Sequence, residues 1–315
     1  MLAIAGCGQR DAESPPAADA APAATAADGS PQIATSVDGV HIQYRVYGQG
    51  EPTLVFVHGW SCDSSYWNAQ IDAFRQRYTV VTVDLAGHGA SARNRTDWSM
   101  AHYGADVAAA VQSLPSKQII LIGHSMGGPV VIEAARLLQD RTVAVIGVDT
   151  YKSIGAPPPP AAQVAAFVDG MEQDFIGYTR GFVTNTFFTK TADQQLVNKI
   201  ASDMSSAPAD VAIASSKAMT NWDYVEPAKG IKVPIIAINS DLGLLTDDAR
   251  ISKVWPTFRS VTVTGTGHFL MMEEPARFDE VLEEQIQTIV NPASSTGDQL
   301  AFWHRSAARV APRCR

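Results

Sequence analysis

One serine stands with a glycine two residues to either side, in Gly123-His124-Ser125-Met126-Gly127. Before it runs Ile119-Ile-Leu-Ile122, four apolar and mostly β-branched residues that predict a buried strand. After it, Pro129 to Leu138 follows a helical pattern. A strand that turns this sharply into a helix crowds its own backbone, and only hydrogen fits two residues from the serine. The turn would lift the Ser125 hydroxyl out of the sheet, at the positive end of the following helix. A serine hydroxyl is a weak nucleophile and needs a base within hydrogen-bond reach, itself held by a carboxylate. The chemistry such a group performs is acyl transfer, which builds negative charge on a carbonyl oxygen and needs two donors aimed at it. The backbone N–H of Met126, next after the serine, is the first of those donors.

The elements needed to carry this group are legible along the chain. Ile33 to Val37 and His41 to Tyr47 alternate polar and apolar around Asp38-Gly39, a hairpin signal. Thr53 to Val57 is a short apolar strand running into His58-Gly59-Trp60, and Tyr66 to Tyr78 predicts a helix. Thr79 to Val83 is another buried strand, ending in Asp84-Leu-Ala-Gly-His-Gly-Ala-Ser91. Ser99 can cap a helix over Met100 to Leu114. Further strands follow at Thr142 to Val148, Val233 to Ile238 and Arg259 to Thr264, and a helix at Pro275 to Val290. Strands alternating with helices imply an α/β fold: a mostly parallel sheet flanked by helices.

Between Lys152 and about Ala228 the rhythm breaks. Gly155-Ala-Pro-Pro-Pro-Pro160 reads as a stiff hinge. Beyond it, Phe167, Met171, Phe175, Tyr178, Phe182, Phe187 and Phe188 recur at near-helical intervals with no clear strand. Residues 153–228 therefore predict a helical cap inserted into a core made of 32–152 and 229–291. Most of the aromatics are expected to pack cap against core, and a minority to line an apolar substrate pocket.

Gly-His-Ser-Met-Gly-Gly128 resembles the nucleophile elbow of the α/β-hydrolase superfamily. His-Gly-Trp60, the Asp84–Ser91 turn and Gly265-Thr-Gly-His268-Phe, in that order, extend the likeness over about residues 33 to 290. The resemblance implies an α/β-hydrolase sheet with an inserted helical cap, and a serine hydrolase of esterase type. Seven histidines could serve Ser125. By resemblance His58, His88 and His124 shape loops. His41 and His102 precede the elbow, and His304 lies near the end of the chain. The family places its base in the loop after the last strand, which implies His268. The second oxyanion donor is, by the same resemblance, the N–H of Trp60.

The acid stands between Ser125 and His268 in this fold's order, and two aspartates end strands there, where sites in such sheets gather. Asp241, after the later strand, is at the commoner family position. Asp149, after the strand next to the elbow strand, is the alternative, and Asp247 a third. The family usually reads Gly-x-x-Asp after the later strand, whereas Asn239-Ser-Asp241 is one residue short and carries Asn for Gly. The implied reaction is hydrolysis of a carboxylic ester or similar acyl compound through an acyl-enzyme on Ser125. A lactone, an amide or a carbon–carbon bond would suit the same residues. The serine disfavours dehalogenase or epoxide hydrolase chemistry, whose elbow carries aspartate. The alternative from another class is a non-catalytic protein holding a small ligand under the cap.

Bulk properties bound the rest. The chain of 315 residues has net charge −8, which argues against a nucleic-acid partner. His, Asp and Cys form no cluster at metal spacing and no G-x-G-x-x-G occurs, so no cofactor is expected. Cys62, near the Trp60 loop, lacks the surroundings of a cysteine nucleophile. Leu2-Ala-Ile-Ala-Gly-Cys7 resembles the lipobox of a bacterial lipoprotein, with Cys7 as a lipid anchor, although few residues precede it and none is basic. Residues 8 to 31, rich in alanine, proline and aspartate, would form a tether. That places the protein in a bacterial envelope or periplasm; a cytoplasmic protein with a disordered tail is the alternative. Residues 292–315 hold four arginines and no acid after Gln299, and read as a disordered extension.

Overall fold

The computed structural model describes residues 27–292. The lipobox-like segment with Cys7, and the basic tail with His304, lie outside the described residues. Eight strands form one sheet, in the order β1-β2-β4-β3-β5-β6-β7-β8. β1 (Asp28–Thr35) and β2 (His41–Tyr47) are the antiparallel hairpin. β3 (Thr53–Val57) is followed by a 3₁₀ turn at Ser64–Trp67 and by α1 (Asn68–Phe74). Then come β4 (Thr79–Val83), α2 (Met100–Gln112), β5 (Ile119–His124), α3 (Gly127–Leu137) and β6 (Thr142–Val148). Four helices precede the next strand: α4 (Ala161–Gln173), α5 (Phe175–Thr186), α6 (Gln194–Ser205) and α7 (Ala209–Thr220). β7 (Ile235–Ser240), α8 (Asp248–Ile251), β8 (Phe258–Val263), α9 (Leu270–Glu273) and α10 (Pro275–Val290) complete the order.

The apolar runs dictate the middle of the sheet. β3, β5 and β7 are buried at every position, which suits strands pairing in parallel with neighbours on both sides. β3 pairs with β4 on one side and β5 on the other, so the chain reverses direction across the sheet at β3. A crevice opens at such a reversal, at the carboxyl ends of the strands. Trp60 follows β3 and Ser125 follows β5.

Three local differences from expectation have physical causes. β1 starts before Ile33 because an edge strand tolerates Pro31, with a register shift between Asp28 and Pro31. The expected helix over Tyr66 to Tyr78 divides at Trp67, whose backbone leaves helical geometry (φ −104°, ψ 11°). Its fully buried indole packs on Phe56 and Phe278, with ring centroids 4.9 and 6.4 Å away. β7 runs on past its apolar core, because Asn239 and Ser240 pair with Thr262 and Val263 of β8. Ser99 accepts the His102 amide and caps α2.

Candidate active site

The β5–α3 turn holds Ser125 at φ 52°, a left-handed conformation that a serine adopts only under constraint. A Cβ at Gly123 would sit 2.2 Å from the carbonyl oxygen of Gly127, and one at Gly127 would sit 2.6 Å from that of Val57. Both clashes are with backbone, so glycine is required at both. The Ser125 N–H donates to Val148 O (3.0 Å), tying the turn to β6. Met126 is fully buried at the head of α3.

His268 reaches this turn from the loop after β8, which Gly265 opens at φ 78°. Its carbonyl accepts Nε2–H of His124, the residue beside Ser125, at 2.9 Å, and the two rings lie 4.7 Å apart. Its amide donates to the carbonyl of Phe187, at the end of α5, at 2.7 Å, and the Phe187 ring stacks on the imidazole at 4.3 Å. Glu273 closes the loop by accepting the amides of Gly267 (2.9 Å) and Phe269 (3.2 Å). Burial raises its carboxyl above the usual range.

The imidazole Nδ1 meets Asp149 Oδ2 at 2.6 Å. The expected pairing of Asp241 with His268 is therefore corrected: Asp241 is exposed, and its carboxylate accepts the amide of Gly265 at 2.8 Å. Extension of β7 through Ser240 accounts for the exchange. Ser240 turns its own N–H and hydroxyl onto Asp149 Oδ1, each at 2.8 Å, while Asn239 Oδ1 accepts the Thr150 amide at 3.0 Å. The end of β7 braces a carboxylate it does not supply. Asp247, the third candidate, caps α8 by accepting the Arg250 amide. Burial of Asp149 alone would raise its carboxyl; the hydrogen bond and charge of His268, and the Lys152 ammonium, outweigh this and hold it well below the usual value.

His58, His88 and His124 are buried. Burial lowers all three, with His88 and His124 brought to about 3, so these rings are neutral struts at ordinary pH. His58 Nε2 accepts the Leu85 amide at 3.0 Å. His102 contacts the Ser99 hydroxyl and Asp97, and His41 is exposed at the start of β2. Burial pushes the Cys62 thiol far up, which leaves it a poor nucleophile.

Trp60 is buried after β3, and its indole N–H donates to Ala212 O of α7 at 2.7 Å. Phe167 of α4 lies 6.4 Å from its ring, Phe182 lies 4.8 Å from Phe167, and Phe187 lies 5.1 Å from Phe182. An aromatic arc from the inserted helices thus joins Trp60 to the ring on His268. The sequence patterning marked these phenylalanines as a group, but gave no signal that Phe187 would sit on the imidazole. Lys152 and Ser240, which converge on Asp149 Oδ1, were not singled out either; only the short Asn-Ser-Asp spacing pointed toward them.

Known proteins share this architecture. Residues 54–281 match the alpha/beta hydrolase family. The chain is 30% identical to the non-heme haloperoxidase of Rhodococcus erythropolis over 225 residues, covering 66% of this chain and 80% of that one. It is 34% identical to the bifunctional esterase/perhydrolase DCH of Acinetobacter calcoaceticus over 143 residues, 44% of this chain and 50% of that one. Among solved structures, a thermophilic esterase from Thermogutta terrifontis superposes with a TM-score of 0.71 at 20% identity, covering 82% of this chain and 99% of that one. Sheet order, elbow and family match agree, and the chain belongs to the alpha/beta hydrolase family.

Proposed function

We propose that the protein is a serine hydrolase that cleaves a carboxylic ester or related acyl compound. The observation that carries this reading is one connected geometry: Ser125 strained at the elbow, with His268 against its neighbour His124 and bonded through Nδ1 to Asp149. Asp149 fixes the tautomer with the proton on Nδ1, leaving Nε2 free to take the Ser125 proton. Ser125 attacks the carbonyl carbon, and the oxyanion forms opposite the backbone N–H groups of Met126 and Trp60. Both residues are buried, and neither N–H joins the turn and loop hydrogen bonds of the described residues. His268 returns the proton to the leaving alcohol, then draws one from water to release the acyl group from Ser125. The aromatic arc from Trp60 to Phe187 suits a partly apolar acyl group. Relatives whose names carry esterase activity favour the ester among acyl compounds.

The test is labelling with a fluorophosphonate, which reacts with activated serines, followed by peptide mapping. We expect an adduct on Ser125 that is lost in His268→Ala, together with turnover of short p-nitrophenyl esters. Folded protein that neither labels nor turns over esters would refute the reading.

A further inference from the structure

The carboxylate of Asp149 serves two cations. Oδ2 faces the imidazole at 2.6 Å, and Oδ1 lies 2.8 Å from the Lys152 ammonium. Lys152 is nearly buried, with 12% of its side chain exposed. Its other protons go to the Ser240 hydroxyl (3.2 Å) and the Leu242 carbonyl (3.1 Å), so all three N–H groups are engaged. The turn that returns Lys152 to Asp149 places two non-glycine residues in left-handed geometry, Asp149 at φ 44° and Tyr151 at φ 68°. Tyr151 anchors it by donating to Gly128 O of α3 at 2.8 Å, and Arg250 donates to the Lys152 carbonyl. Backbone strain of this kind persists only where the surroundings overdetermine it.

A serine–histidine–acid system needs only the carboxylate. Burying an ammonium costs free energy that a neutral hydrogen-bonding side chain would avoid. What the charge adds is electrostatic: a carboxylate already partnered by one cation stabilises a second less. We propose that Lys152 is a positioning residue acting on His268 through Asp149, fixing the carboxylate toward the imidazole and extending the working range of the base to lower pH. This rests on the serine hydrolase reading. The other groups around the imidazole are His124 from β5, buried and neutral, the Glu273 carboxylate from α9, and the apolar Phe187 ring from α5. Asp241 lies on the loop amide of Gly265. Lys152 is the cation that these contacts bring to Asp149 besides His268.

The experiment compares wild type, Lys152→Met and Lys152→Arg in the full chain, reading kcat/KM against pH and the titration of ¹³C-labelled histidine by NMR. Removing one unit charge a carboxylate away should raise the acid limb, and the matching imidazole midpoint, by about one pH unit in Lys152→Met. Lys152→Arg should restore both toward wild type. A Lys152→Met protein slower by one factor at every pH, with the midpoint unmoved, would overturn the proposal and leave Lys152 a structural brace. If Lys152→Met does not fold, Lys152→Gln takes its place, which removes the charge, keeps a donor for Asp149 Oδ1 and leaves the carboxylate on His268. The same upward movement is expected, and equal midpoints would overturn the proposal. The NMR arm does not need turnover. A shifted midpoint in protein that hydrolyses nothing would refute the serine hydrolase reading while upholding the electrostatic link.

Discussion

Replacing Asp149 by asparagine separates the two candidate acids, and the structure says how the variant fails. Oδ1 of Asp149 receives three donors: the Ser240 amide, the Ser240 hydroxyl and Lys152 Nζ. In Asp149→Asn the amide oxygen must stay on that side, because the NH₂ group cannot accept. The NH₂ group is then turned toward His268 Nδ1, which becomes the acceptor. The imidazole proton moves to Nε2, the nitrogen that must be bare to take a proton from Ser125. A wrong tautomer in an otherwise intact triad lowers kcat by about 10⁴, equivalent to about 5.5 kcal/mol of barrier. Asp241→Asn should leave kcat/KM within severalfold, since an asparagine oxygen still accepts the Gly265 amide. The assay is steady-state hydrolysis of a p-nitrophenyl ester, with near-ultraviolet circular dichroism to confirm packing. A folded Asp149→Asn protein within tenfold of wild type, or an equal loss in Asp241→Asn, would show the reasoning wrong.

Other outcomes follow from the same contacts. Gly123→Ala brings a methyl against the Gly127 carbonyl and should cost about 3 kcal/mol or more, read as loss of soluble folded protein; wild-type stability would contradict the crowding argument. Trp60→Phe keeps a ring near Phe167 but leaves the buried Ala212 carbonyl without its donor, which should cost about 1–3 kcal/mol in calorimetry. The Asp149 carboxyl is held below its ordinary value of 3.8, so its contribution to stability is present above that pH and lost as pH falls through the lower folded value. The melting temperature of wild type relative to Asp149→Asn should therefore be highest near neutrality and shrink below about pH 4. A gap that widened on acidification would reverse the sign.

The strands and the serine turn were legible because each is a local necessity. Ile119 to Ile122 is apolar throughout since both its faces are covered, and Gly123 and Gly127 are fixed by backbone contacts within a few residues or one strand away. His268 was reachable by likeness to the family and by its place after the final strand. The acid was not, because the decision is made between distant segments. Asn239 and Ser240 look like loop residues until β8 supplies the partners that keep them extended. Only then does the loop after β6, bent by left-handed Asp149 and Tyr151, become the one that meets the imidazole. The mismatch with Gly-x-x-Asp was the visible trace of this, and its meaning lay in a strand too long for its apolar core. The break in Trp67 has the same origin, a helical pattern overruled by an indole that the core takes.

The two anchor points of the inserted helices have a consequence for how this scaffold can change. Phe187 holds the amide of His268, and Ala212 holds the indole of Trp60. The helices that would shape the substrate's surroundings thus also grip the two loops flanking the serine. Grafting an insertion from a relative onto this sheet would alter more than selectivity. Lacking those two carbonyls at the right places, a transplanted insertion would leave the histidine loop and the tryptophan loop untethered. On the proposed hydrolase reading, selectivity and rate are mechanically joined, so successful exchange must carry both anchors along with the new walls.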